Sequence, residues 1–188
     1  MTPFARRRLG RTSHLLVTAC FSLPVSLLGQ DTITIGSGTE VNGFFSFPAP
    51  YGNAENGSRH QMLILASELQ AAGMSTGNIT CVAFDVSEAS FVQFDGFTVS
   101  IGTTDETEMA PAWIPGLTAV FGPADYVNDQ TGWNTHLFDA PYLWDGVSNL
   151  VVQTCFSNSE SAQNAFHVQS ATPFTLHSDA PAGLRRCA

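Results

Sequence analysis

There is no lysine in these 188 residues, and only 12% of them are charged. Four of the seven arginines (Arg6, Arg7, Arg8 and Arg11) fall within the first eleven residues, whereas all sixteen acids lie from Asp31 onward. Past residue 30, three arginines face sixteen acids, a net charge of −13. Such a surface repels nucleic acid and anionic lipid, so neither is expected as a partner. The chain has no CxxC and no Cys/His cluster, which removes a structural zinc site. It has no HExxH and no GxSxG; "GSG" at 36–38 is too short for the latter. His60, His136, His167 and His177 are scattered and read as strand residues with satisfied hydrogen bonds. "DETE" (105–108) lacks the Asp/Asn/Gly spacing of a calcium loop and reads as solvated charge. No metal, cofactor or catalytic residue is therefore expected. A distant pair of carboxylates for glycoside hydrolysis leaves a secreted hydrolase as the third reading.

A long membrane-crossing run is also missing. "LLVTACFSLPVSLLG" (15–29) is apolar but short and broken by Pro24. With the basic "FARRRLGR" before it and "GQD" after it, the segment has the order of a secretory signal peptide. Residues 1–30 are assigned to that leader and 31–188 to one domain. N-terminal sequencing of the exported protein is expected to start near Gln30 or Asp31. A lipid-modified Cys20, the rival reading of "VTAC", would contradict this.

What is present is short apolar runs between turn residues about every ten positions, an all-β pattern. The predicted strands are 32–36, 43–47, 60–66, 78–86, 97–102, 117–121, 135–138, 149–156, 165–170 and 174–178. Asp95-Gly96 and Asp145-Gly146 are expected to make tight turns. "SELQAAG" (67–73) is expected to form one short helix with Ser67 as N-cap, Gln70 completing a capping box and Gly73 at the left-handed C′ position. The expected fold is an antiparallel β-sandwich of jelly-roll type.

The densest stretch is "GWNTHLFDAPYLWDGVSNLVVQTCF" (132–156). Strand alternation puts Trp133, Thr135 and Leu137 on one face and Asn134, His136 and Phe138 on the other. Trp133 reads as a core anchor. Two strands and an aromatic-stabilised turn account for most of the segment. The functional alternative is an exposed Tyr142–Trp144 platform for a sugar ring, with Asp145 or Asn149 bonding its hydroxyls.

In one order along the chain stand "PYGN" (50–53), "RHQMLILASELQAAGMSTGNITCVAFDV" (59–86), "FTVSIGTT" (97–104), "GLTAVF" (116–121) and the 132–156 segment. On these residues the chain resembles a β-sandwich module of secreted and surface proteins of gliding and marine bacteria, found beside adhesion repeats, proteases or sorting domains. The resemblance covers residues 32–187. It implies no catalytic residue. It implies a non-catalytic extracellular module, for adhesion or for support of a larger secreted protein. Its partners would be surface glycans or other extracellular proteins. A carbohydrate-binding module is the second reading. The resembling modules continue past the last cysteine, so a chain ending "LRRCA" is expected to be a fragment or a truncated relative. They also carry a cysteine near Cys155 and near Cys187. In "NLVVQTCF", Leu150, Val152, Thr154 and Phe156 form the apolar face, which leaves Cys155 on the outer side. The expected disulfide is Cys155–Cys187, worth about 3–4 kcal/mol for a loop of roughly thirty residues. Cys81–Cys155 remains the alternative. Cys81 otherwise stays a free thiol packed on the sheet.

Overall fold

A computed structural model describes residues 32–36, 40–41, 50–52, 56–158, 166–169 and 175–180. Of 40–41, 166–169 and 175–180 only the backbone is described. All belong to one unit, Thr32–Ala188. The leader, the 43–47 segment and Cys187 lie outside the described residues.

Among the described residues the elements run β1 (Glu40–Val41), β2 (Gly57–Ile64), α1 (Ala66–Ala71), β3 (Gly77–Glu88), β4 (Gln93–Thr104), β5 (Thr118–Val127), β6 (Gly132–Trp144), β7 (Asn149–Ser157), β8 (Phe166–Gln169) and β9 (Thr175–Ala180). They form two antiparallel sheets, ordered β1-β8-β3-β6 and β5-β4-β7-β2-β9. The all-β expectation holds at this level. Residues 32–36 are not a strand: Ile33 and Ile35 instead lie half-buried against the core.

Register explains the core. His60 pairs with Thr154, Met62 with Val152 and Ile64 with Leu150; Val99 and Ile101 continue those rows on β4. That face meets Phe84, Val86, His136 and Trp144 of the other sheet around Tyr51, Phe94, Phe97 and Phe156. Aromatic rings set at offset and tilted angles fill the space between the sheets. The predicted inward face of β7 is correct, yet Val151, Gln153 and Cys155 on its other face are buried too.

The 105–117 loop covers that second face. Leu117 lies so close to Gly102 that a Cβ there would come within 2.6 Å of its Cδ2. Gln61, fully buried, clamps the loop: its Nε2 donates to Ile114 O (2.9 Å) and its Oε1 accepts from Ile114 N (3.0 Å). Gln61 Nε2 also donates to Gln153 Oε1 (3.0 Å), which accepts from Arg59 Nε (2.7 Å) as well. The Arg59 guanidinium lies 4.5 Å from the centre of the Trp113 ring, a cation–π contact. Gln61→Leu strips Ile114 of both partners. It should destabilise the domain by about 2–3 kcal/mol. Hydrogen exchange at the Ile114 amide should quicken with it, and unchanged exchange there would disprove the clamp.

Two local expectations need correcting. The helix starts two residues earlier than Ser67: Leu65 is the N-cap, and Glu68 accepts from the Leu65 amide (2.8 Å). Ser67 lies inside the helix instead, and Asn149 Oδ1 takes the Ala66 amide at its start (2.8 Å). Gly73, at φ +95°, does take the left-handed position after the helix. Asp95-Gly96 makes no tight turn. It sits inside β4 at an irregularity of the pairing with β5, where the Gly96 amide donates to Asp125 Oδ1 (3.1 Å). An Asp-Gly pair supplies positive φ, and a bulge uses that as readily as a hairpin does.

Candidate functional site

The residues singled out around the 144–149 turn come together, but as a staple. Trp144 is fully buried and its indole donates to Ser148 O (2.8 Å). The exposed Tyr142–Trp144 platform is therefore corrected: both residues point inward, and Tyr142 is half-buried against the core. Asp145 accepts from the amides of Val147 (2.9 Å) and Ser148 (2.8 Å) and from the Ser148 hydroxyl. These bonds, Ser148 foremost, hold its carboxyl below the usual range. Asn149 spends its amide on Ala66 N and on Glu106 O (2.8 Å). Gln70 Nε2 ties Gly146 O (2.8 Å) and Thr76 Oγ1 ties Trp144 O (3.0 Å). The polar atoms that would have bonded a sugar already hold β6, β7 and α1 together.

The assignment of Trp133 as core anchor is corrected as well. The alternation was read properly, but the faces are reversed: Asn134 and His136 are buried, and Trp133 and Leu137 are exposed. The inner face tolerates Asn134 because its amide is fully bonded, and His136 because its Nε2 is bonded, although its buried Nδ1 has no partner among the described residues. Asn134 Oδ1 accepts from Tyr126 OH (2.7 Å) and Asn128 Nδ2 (3.0 Å). His136 Nε2 shares a 2.6 Å hydrogen bond with the Tyr51 hydroxyl. Rings of Phe97, Phe121 and Tyr126 lie about His136 at centroid distances of 5.0, 4.9 and 4.8 Å. Desolvation lowers His136 from its ordinary 6.5 to about 4, and burial pushes the Tyr51 phenol up. A neutral imidazole enclosed by aromatic rings suits a core rather than proton transfer to a ligand.

The outward face of β3 and β6 is different. Four cross-strand pairs cover it: Asn78/Leu143, Cys81/Leu137, Ala83/Thr135 and Asp85/Trp133. Trp133 is 55% exposed, Leu137 69% and Leu143 71%. β6 is the last strand of its sheet. The pairing slips between Ile79 and Cys81, where β6 inserts Phe138 to Pro141. Leu143, six residues beyond Leu137, still returns to the same face. Asp85 is the one acid in the eight-residue ladder. Among the described strands no other face carries three exposed large apolar side chains.

No known protein family, curated protein or solved structure matches this chain.

Among the described residues no three His, Cys, Asp or Glu side chains gather as a metal would require, and Asp105, Glu106 and Glu108 are exposed. Also among them, no helix is long and apolar enough to cross a membrane. Cys155 is disulfide-bonded, and its expected partner Cys187 lies outside the described residues. Cys81 is a free thiol and exposed, not packed against the sheet as expected. The register adds a reach argument for the pairing. Cys155 and Ser178 both lie opposite Arg59, two strand spacings apart. The seven residues from Ala180 to Cys187 can span up to about 23 Å, more than the separation requires. Peptide mapping of the unreduced protein should therefore yield a Cys155–Cys187 cross-link. A cross-linked peptide containing Cys81 within one chain would contradict it.

Proposed function

We propose that the chain is a non-catalytic, jelly-roll-type module of a secreted or surface-held protein, and that the bare β3–β6 face is its contact surface for other extracellular proteins. The strand orders support the jelly-roll reading. Leaving β9 aside, β1-β8-β3-β6 and β2-β7-β4-β5 are the two four-stranded sets that two wound Greek keys give. The basic–apolar leader, the strongly acidic remainder and the bonded Cys155 support an oxidising, extracellular setting. The observation that carries the contact reading is the exposure of Trp133, Leu137 and Leu143 on one ladder. An apolar group of that extent, rimmed by polar residues, marks an interaction surface.

The test is the triple variant Trp133→Ser, Leu137→Ser, Leu143→Ser, produced in a secreting cell. Retention of the protein at the cell surface or in extracellular material should fall by about tenfold or more, with the circular dichroism spectrum unchanged. Equal retention would remove the reading. One observation favours a carbohydrate-binding module as the second reading. The half-exposed Trp133 indole stands across from Asp85, so a sugar ring stacked on the indole would have a carboxylate within reach of its hydroxyls. A glycan-array signal that vanishes in Trp133→Ala would select it.

A further inference from the structure

We propose that Asn78 is a glycosylation site, its side-chain amide carrying a sugar acquired during export; the inference rests on the extracellular setting proposed above and not on the contact role of the β3–β6 face. Two stretches of the chain read Asn-x-Ser/Thr without proline between: Asn56-Gly57-Ser58 and Asn78-Ile79-Thr80. In an exported chain that order is the acceptor pattern for an N-linked sugar. The pattern alone is common, and the structure separates the two. A sugar is bulky and polar, so its asparagine has to stand in water once the chain has folded.

Asn56 is half-buried, and its carbonyl accepts from the Asn158 amide (2.7 Å). Ser58 is buried, and a Cβ on Gly57 between them would come within 3.0 Å of Phe156 O. That stretch is packed. Asn78 is exposed, one residue into β3, across from the exposed Leu143. Its amide is also idle. Asn128, Asn134, Asn149 and Asn158 each use both ends of the side chain to tie loops and strands together. Among the described residues none bonds the side chain of Asn78. Asparagine is scarce in strands, and here it fills no place in the fold. The one asparagine without a structural task is thus the exposed one that also has a threonine two residues on.

The donor is a sugar whose anomeric carbon carries a diphosphate leaving group, on a nucleotide or on a polyprenyl lipid. Asn78 Nδ2 forms a bond to that carbon, the carbon–oxygen bond to the diphosphate breaks, and the diphosphate leaves with the electron pair. The amide proton passes to a base of the transferase. Nothing is oxidised or reduced. The attached sugar lies beside Leu143 and bounds that end of the β3–β6 face, with Trp133 at the other end left open.

Mass spectrometry of the exported chain, taken from the cells that make it and cut with chymotrypsin, is the test. The peptide that contains Asn78 should be heavier by a sugar. A single sugar points to the nucleotide donor, and a preassembled oligosaccharide points to the lipid donor. Asn78→Gln should lose the whole of the extra mass with an unchanged circular dichroism spectrum. Thr80→Ala should lose it as well, although Asn78 is still present, and Thr80→Ser should keep it. Asn56→Gln should leave it unaltered. An exported chain with a bare Asn78, or extra mass that survives in Asn78→Gln, overturns the inference and leaves the extracellular reading standing. A chain held inside the cell with residues 1–30 still attached overturns both.

Discussion

Asn134→Leu is expected to lower the stability of the domain by about 4 kcal/mol. Its thermal midpoint should fall by about 12 °C. Asn134 is 1% exposed, and all four of its hydrogen-bonding positions are in use. Its oxygen accepts from Tyr126 OH and Asn128 Nδ2, while its nitrogen donates to Gly132 O (2.9 Å) and Gln130 O (3.1 Å). Leucine matches the volume but leaves the Tyr126 and Asn128 donors buried without it. Each such orphan costs about 1–3 kcal/mol, more than an unmade bond alone. The effect reaches farther through Asn128, which is fully buried and accepts from the Ser90 amide (3.2 Å) and, at its own carbonyl, from the Phe91 amide (2.9 Å). Those bonds hold Phe91 at φ 57°, a backbone conformation that bulky residues seldom adopt. Tyr126→Phe, which deletes one donor, should cost only about 1 kcal/mol. Urea denaturation measures both. A loss below about 1 kcal/mol for Asn134→Leu would show that the network does not hold the core together.

Acid should act on the same region through His136. Burial among aromatic rings lowers it to about 4, against an ordinary 6.5. The folded protein therefore binds this proton less readily than the unfolded chain. Above pH 6.5 the imidazole is neutral in both states and its contribution to stability is fully present. As the pH falls from 6.5 toward 4 the unfolded chain gains the proton first, and the folded state loses ground. The limiting loss is about 3 kcal/mol, from a shift of roughly two and a half pH units at 1.36 kcal/mol each. The Tyr51 and Tyr126 hydroxyls beside it are both raised, so neither ionises in this window. His136→Gln retains an acceptor for Tyr51 but does not titrate. Its stability should fall less between pH 7 and pH 4, by about 3 kcal/mol, in urea midpoints followed by fluorescence. Parallel pH profiles for the variant and the wild type would refute the assignment.

The strands were legible because alternation and turn residues are local. Leu150, Val152, Thr154 and Phe156 were placed inward on their period, and they do pack on Val99 and Ile101. β1 was missed because two residues carry no period. The candidate site was legible in parity but not in polarity. Trp133, Thr135 and Leu137 were grouped correctly, yet hydropathy sent the tryptophan inward and the asparagine outward. The core reverses this because Tyr126, Asn128 and Tyr51 supply partners to Asn134 and His136, and those partners lie on other strands or loops. Trp144 shows the same limit from the other side. Its burial depends on the bond to Ser148 O and on a turn stapled to Asn149 and α1, which no short window of sequence contains. Cys81 is the cysteine that the expected Cys155–Cys187 pairing leaves over, and it is free. Its exposure depends on β6 pairing with β3 so that Leu137 stands across from it.

The β3–β6 face is expected to be covered when the protein is in place. The most direct measurement is the alkylation rate of Cys81, which stands in the middle of that face. Iodoacetamide labelling of the exported protein in its native extracellular material, followed by peptide mass spectrometry, should modify Cys81 about tenfold or more slowly than in the purified, diluted protein. Equal rates in the two states would mean that the face stays open to water, and the account given for it would be wrong.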